Sequence, residues 1–393
     1  MRAAILDLLL GSPRKASAAA NLLDSSGSWP DVIDRCAEWR VLPQLNRRLR
    51  ERNINLPSAA RTLFRQLTAK AFLRTSRRVE RGAAALELLS REGVPCAGFK
   101  GIAAVAVLYR SPGERTLQDV DILIREADLS RALNELGRAG YRAPGSRSLE
   151  QYISFVRNSP GFAGNEAIEV CDEHGGSIDL HWRLGQLDTE ILLARAQEVD
   201  LFGKNIRVVQ PSCCATIAAH HALRNDFVPD DMVRDLLDFR DWLHWIADHD
   251  QTKEAINLAA KTRMRGAALA LARLTSEFNE SPIQSAWLAD ATREDLRIAG
   301  DLVELFRGQL DGGMLNPDLI YLASPRSINK IIAGVSSGWS RYRLYMKAFE
   351  QSNGRAPVNL GFRLRRLVTA AWLMPMRRWR LVRTLVAAKN AGL

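Results

Sequence analysis

Over the first 92 or so residues apolar positions recur at intervals of three and four, most clearly across 29–50 and 59–91, and this period predicts helices rich in arginine. Pro57 starts the second run. The Gly93-Val94-Pro95 break opens a different texture, with a short apolar strand at 94–99, a Lys100-Gly101 turn and a small-residue helix at 102–108. A second strand is predicted at 119–124. It leads into a helix with Asp128 as N-cap, Leu129, Ala132, Leu133 and Leu136 on one face, and Gly140 at its end. Two hairpins follow, one pairing 167–171 with 177–182 through Glu173-His174-Gly175-Gly176, the other pairing 199–202 with 206–209 around Gly203-Lys204-Asn205. After Pro211 the strand signals fade, and 212–224, 231–248, 253–274 and 290–307 carry the helical period.

This order of elements predicts an α+β fold: a small mixed β-sheet core at 93–210, a helical region at 1–92 before it and a helical domain at 211–393 after it. With 393 residues, 47% of them hydrophobic, there is ample material for a core and for two or three domains. The five cysteines, Cys36, Cys96, Cys171, Cys213 and Cys214, are odd in number and lack Cys-x-x-Cys spacing. They argue against a disulfide framework and for a reducing, cytoplasmic location. Asp7 interrupts the N-terminal apolar run, which therefore reads as an amphipathic helix and not as a secretory signal. The apolar run 367–376 falls short of the roughly 20 residues that span a bilayer, so no transmembrane segment is expected.

Charge changes the picture mainly at one end. The net +11 (55 − 44) includes nine Lys or Arg and no acid between 351 and 393, a basic tail fit to meet phosphate, an anionic membrane or an acidic partner, or simply to be a solvated face.

The candidate chemistry lies in the middle of the chain. Asp119 and Asp121 flank Val120, and residues two apart in a strand share a face, so both carboxylates point one way and neither can join a core unpaired. Asp179, in Ser-Ile-Asp-Leu-His-Trp, supplies a third acid. Oxygen ligands of this kind suit Mg²⁺ or Mn²⁺. The pair can bridge two ions about 3.5 to 4 Å apart, with Asp179 binding one of them and accepting the proton of an attacking hydroxyl. Lys100 and Arg115 offer a point charge and a planar fork for phosphate oxygens, and Gly101 at a helix start lets backbone N–H groups approach them. His181 shares a strand face with Asp179. It orients that acid, contacts nucleotide, or serves only as a hydrogen-bonded structural histidine. Divalent metals, phosphate donors and a base are together what nucleotidyl or phosphoryl transfer needs.

The run Gly98-Phe99-Lys100-Gly101, Tyr109, Arg115, Asp119-Val120-Asp121, Gly140-Tyr141 and Ile178-Asp179-Leu180-His181-Trp182 resembles the uncharacterised nucleotidyltransferase family of the polymerase-β-like superfamily. The likeness extends from the helical lead-in to His221 and Arg234-Asp235-Leu236-Leu237-Asp238, with its motifs between 93 and 245. The chain is also similar to abortive-infection-type and antibiotic nucleotidyltransferases, which share a glycine-containing turn before Arg-x-x-x-Asp-x-Asp. The resemblance implies transfer of NMP from an NTP, with ATP the expected donor, to a hydroxyl or phosphate acceptor with release of pyrophosphate. The superfamily's usual Gly-Ser turn is replaced here by Lys100-Gly101, which removes a serine hydroxyl from the phosphate site.

Elsewhere, adjacent His220 and His221 face about 100° apart on a helix, which rules out the paired histidines of helical zinc sites. His221 is expected to pair with Asp238 beneath the cleft. Cys213 and Cys214 lie at a helix start, where thiolates are favoured, without a base to complete a nucleophile. Phe239, Trp242, Leu243 and Trp245 read as core. The arginines of 61–81 occupy several helix faces, so no nucleic-acid groove is defined, and a small molecule or peptide is favoured over RNA as acceptor. The rival reading is a non-catalytic module of the same fold docking a protein partner or making peripheral membrane contact through 363–383, where leucines and tryptophans alternate with arginines around Pro375.

Overall fold

A computed structural model of the chain describes residues 1–109, 111–143, 149, 167–173, 176–185, 187–225, 229–278, 283–289 and 291–310. The basic tail, the docking segment 363–383 and the His174-Gly175 hairpin tip lie outside the described residues.

Five helices lead in: α1 (Arg2–Leu10), α2 (Pro13–Ser26), α3 (Trp29–Glu38), α4 (Leu42–Glu51) and α5 (Ser58–Arg91). The helical run expected over 29–50 is two helices. Arg40 adopts φ 62° between them and Pro43 sits in the first turn of α4. Both halves turn apolar residues into one core, Trp29, Val32, Ile33 and Cys36 from α3 and Leu42, Leu45 and Leu49 from α4, so the period continues across a break it cannot reveal.

The sheet contains β1 (Cys96–Gly98), β2 (Val120–Ile124), β3 (Ala167–Cys171), β4 (Ser177–His181), β5 (Gln197–Leu201) and β6 (Lys204–Val208), in the order β3-β4-β2-β1-β6-β5. It is mixed: β2 runs parallel to β4 and antiparallel to β1, β1 is parallel to β6, and the pairs β3/β4 and β5/β6 are antiparallel hairpins. Three helices, α6 (Gly101–Val107), α7 (Leu129–Arg138) and α8 (Thr189–Ala194), follow β1, β2 and β4 respectively. Residue Asp128 makes no side-chain cap to α7, because a 3₁₀ turn at Glu126–Asp128 feeds that helix. Gly140 does end it, at φ 90°, with Tyr141 N–H donating to Leu136 O at 3.0 Å. The second hairpin turns one residue earlier than expected, at Phe202 and Gly203, both with positive φ, which gives a two-residue turn of the kind that matches strand twist.

The long helix α5 lies against the sheet at Gly82, where a Cβ would fall 2.7 Å from Val120 Cγ1, so only glycine lets helix and strand approach this closely. That contact fixes the orientation of β2: Val120 faces α5, and Asp121 points to the opposite face.

Beyond the sheet come α9 (Pro211–Arg224), α10 (Pro229–Asp248), α11 (Thr252–Lys261), α12 (Arg265–Phe278), α13 (Ile283–Ala289) and α14 (Arg293–Leu310). The run 253–274 again divides at a residue with positive φ, Arg263. Helices before and after the sheet share contacts: Ser12 N–H donates to Phe278 O at 3.0 Å, Arg240 Nη1 to Leu9 O at 3.1 Å, and Arg47 and Arg48 of α4 pair with Asp241 of α10. One apolar cluster runs from Ala4 to Phe306 through all three parts of the chain. All five cysteines are free. Among the described residues no helix is long and apolar enough to cross a membrane.

Candidate active site

Pairing of β2 with β4 in parallel register sets Asp121 beside Asp179 and Leu123 beside His181. Alternation places Asp121, Asp179 and His181 on one face of the sheet, the face turned away from α5. Each of the three offers one ligand atom, and these atoms all lie within 4.8 Å of one another. Two carboxylates and an imidazole form a donor set that can hold a metal ion. The oxygen-only set expected from sequence thus gains a nitrogen. Asp119 is not a member of this group; it sits in the bend before β2 and lines the same cleft.

The two carboxyls are in opposite electrostatic positions. Burial opposes the charge on Asp121, but Lys100 and then His181 outweigh it and hold this carboxyl well below the usual carboxylate range. Lys100 Nζ donates to Asp121 Oδ1 at 2.7 Å, and His181 Nε2 lies 2.9 Å from the same oxygen. Phe99 meets the His181 ring edge-on at 4.9 Å, which helps fix its plane. Asp179 is pushed up to about 7 by burial and by the charges of Asp121, Asp119 and Glu169, with Lys100 working against them. Lys100 itself has φ 51° and ψ −118°, a conformation that costs a non-glycine residue about 1 to 3 kcal/mol and that clusters at functional sites.

The opposite wall of the cleft is helical, with Ile217 and His221 from α9 and Arg234, Asp235, Asp238 and Trp242 from α10. Here the structure corrects an expected pairing. His221 Nδ1 lies 2.6 Å from Asp235 Oδ2, and Asp238, one turn further along α10, is engaged elsewhere. Its partner is Arg115, whose Nε and Nη2 both reach Asp238 Oδ2, at 2.8 and 2.6 Å, while Tyr109 OH donates to Oδ1 at 2.8 Å. Burial works against the charge on Arg115, but Asp238 prevails and raises its pKa above the arginine range. Nη1 of Arg115 donates to Thr116 O at 3.2 Å. Gly101 makes room for this guanidinium, since a Cβ there would stand 2.4 Å from Nη1. Its absent side chain thus serves packing against Arg115 as well as access to the cleft.

The expected residues therefore divide. Asp121, Asp179, His181 and Lys100 come into contact or close register, Asp119 and Gly101 line the cleft beside them, and Arg115 lines it with its guanidinium already bound to protein. What the sequence missed is the partner choice on α10. Asp235 and Asp238 are three apart on one helix face, and nothing local distinguishes which of them His221 meets. Phe239, Trp242 and Leu243 are buried as expected, and Trp245 stacks on His249 at 3.7 Å. The helix-start cysteines are buried, and burial pushes Cys213 up to about 11 despite its position and raises Cys214 well above the thiol range.

A model of a family described as uncharacterised nucleotidyltransferases matches residues 25–279, more than half of the chain and all of the site. No curated protein matches.

Proposed function

This chain belongs to the uncharacterised nucleotidyltransferase family, and from that premise we propose that it transfers an NMP from an NTP, ATP in the first instance, to a hydroxyl or phosphate on a small molecule or peptide. The acceptor oxygen bonds to the α-phosphorus as the bond to the bridging oxygen breaks, and pyrophosphate leaves with the electron pair. Asp121 and Asp179, with Asp119 at the rim and His181 in the same group, are the residues that would hold Mg²⁺ or Mn²⁺. A bound divalent ion supplies neutralisation of the charge on the phosphate oxygens. His181 and Lys100 fix the Asp121 carboxylate in one orientation, and Lys100 carries the positive charge nearest the phosphates. Asp179 would serve as ligand through one carboxylate oxygen and receive the acceptor's proton on the other. Arg115 and Gly101 shape the wall where the triphosphate lies.

One observation carries this reading: Asp121 and Asp179 are neighbours in register on parallel strands, on the face of the sheet turned away from α5, and Asp121 lines a cleft together with Lys100, Gly101 and Asp119. Incubation with each labelled NTP and Mg²⁺ or Mn²⁺, using cell extract as the acceptor source, followed by mass spectrometry of whatever gains label, tests it. Metal-dependent labelling that disappears in Asp121→Asn supports the assignment; equal labelling by wild type and variant removes it.

A further inference from the structure

Four cationic or titratable basic side chains line the cleft: Lys100, Arg115, His221 and Arg234. Three are committed to the protein. Lys100 is bound to Asp121, Arg115 to Asp238 and Thr116 O, and His221 to Asp235. Arg234 differs. It makes no hydrogen bond or ion pair to a described residue, its Nε is buried without a partner, and its charge is felt only through space by Asp235, whose carboxylate is already taken by His221. A buried donor with no acceptor costs free energy, and such a group calls for an explanation, most simply a ligand that supplies the acceptor.

Taking the nucleotidyltransferase reading as its basis, we infer that Arg234 is the guanidinium that grips the phosphates of the nucleotide, the role that the sequence alone gives to Arg115. A guanidinium presents a flat fork of N–H donors that fits phosphate oxygens two at a time. Arg115 has spent that fork on Asp238, and releasing it would leave a buried carboxylate without its cation. Arg234 gives up no protein hydrogen bond when it turns to a phosphate. It lines the same cleft as Lys100, Asp119 and Asp121, so a phosphate bound there has both cations and the acids among its lining residues.

The test uses the full chain and inorganic tripolyphosphate with Mg²⁺, which removes dependence on the base of the nucleotide, with binding measured by calorimetry and folding by thermal melting. Arg234→Gln should weaken tripolyphosphate binding about tenfold or more, as expected for loss of a charged hydrogen-bonding partner, and should melt at the wild-type temperature. Arg234→Lys should fall between the two in affinity, keeping the charge and losing the fork. Arg115→Gln should melt at a lower temperature. Wild-type affinity in Arg234→Gln would overturn the inference and leave the proposed function standing, as would a loss of affinity confined to an Arg115→Gln protein that still folds. A marked fall in melting temperature for Arg234→Gln would also overturn it, by showing a structural role. A wild-type protein that binds neither tripolyphosphate nor any of the four NTPs would remove both the inference and the reading beneath it.

Discussion

Both walls of the cleft bury carboxylates, and they treat them in opposite ways. On the helical wall each acid has a hydrogen-bonding partner of its own: Asp238 takes two short bonds from Arg115 and one from Tyr109, and Asp235 takes His221. Burial would raise Asp235, but His221, Arg234 and Arg115 bring it below the ordinary carboxylate value. On the strand wall, Lys100 and His181 both serve Asp121, and Asp179 beside it is left among like charges and pushed up to about 7. A carboxylate with a full complement of partners holds a fold together. A group of acids with surplus negative charge weakens the fold and makes sense as a place for a cation to bind. The contrast thus separates architecture from site without reference to the family.

The largest effects should follow from removing one carboxylate from each wall. Asp121→Asn should lower nucleotidyl transfer by at least about a hundredfold, since even the partners of metal ligands are worth 10- to 100-fold, and should cost less stability than loss of Asp238, because the amide oxygen can still accept from Lys100 and His181. A variant that turns over normally would mean that the strand wall is not the site. Asp238→Ala should do the reverse in kind. It strands the buried Arg115 and Tyr109, and loss of one partner of a buried pair costs about 3 to 5 kcal/mol. Chemical denaturation measures this directly, and a cost below 1 kcal/mol would erase the distinction between the walls.

Much of this architecture was legible in the sequence, and the illegible parts share a cause. Strand and helix periods placed all six strands to within a few residues, and the two-residue spacing of Asp119 and Asp121 pointed to the segment that carries β2. Asp119 nevertheless falls outside β2, because strand pairing begins at Val120 opposite Ile178, and where a ladder starts depends on a partner far along the chain. The helix breaks at Arg40 and Arg263 were hidden for a related reason: the helices on either side bury residues in the same core, and the positive φ falls on arginines, where no glycine signals it. Pairings such as Arg115 with Asp238 join residues 123 apart in sequence, and local chemistry cannot choose between two acids one helical turn apart.

A smaller effect sharpens the comparison through pH. In the metal-free protein burial and the neighbouring acids push Asp179 up to about 7, whereas in the unfolded chain it returns to the ordinary carboxyl value of 3.8. Between these values the folded state binds more protons, so wild-type stability should decline as pH rises from about 4 to about 7 and then level off. Asp179→Asn lacks this decline. In EDTA at pH 8 it should exceed wild type by about 1 to 2 kcal/mol, once the partial exposure of the group is allowed for. Added Mn²⁺ should stabilise wild type more at pH 8 than at pH 6, because the ion and the proton compete for the same carboxylate, and should stabilise the variant less. Identical pH profiles for the two proteins would show that Asp179 feels no surplus charge.

The smallest effect concerns His221. Its bond to Asp235 is short, yet Asp235 keeps the fields of Arg234 and Arg115 when the imidazole is gone. His221→Asn should therefore cost only about 1 kcal/mol, the ordinary worth of one hydrogen bond, well below the cost at Asp238. A double-mutant cycle of His221→Asn with Asp235→Asn isolates the coupling between the two side chains. A coupling as large as that between Arg115 and Asp238 would make both helical pairs equal pillars of the fold. The more informative surprise would be kinetic: unchanged melting with a hundredfold loss of turnover would place His221 among the groups that touch substrate, and the helical wall would then join the strand wall as part of the reacting site.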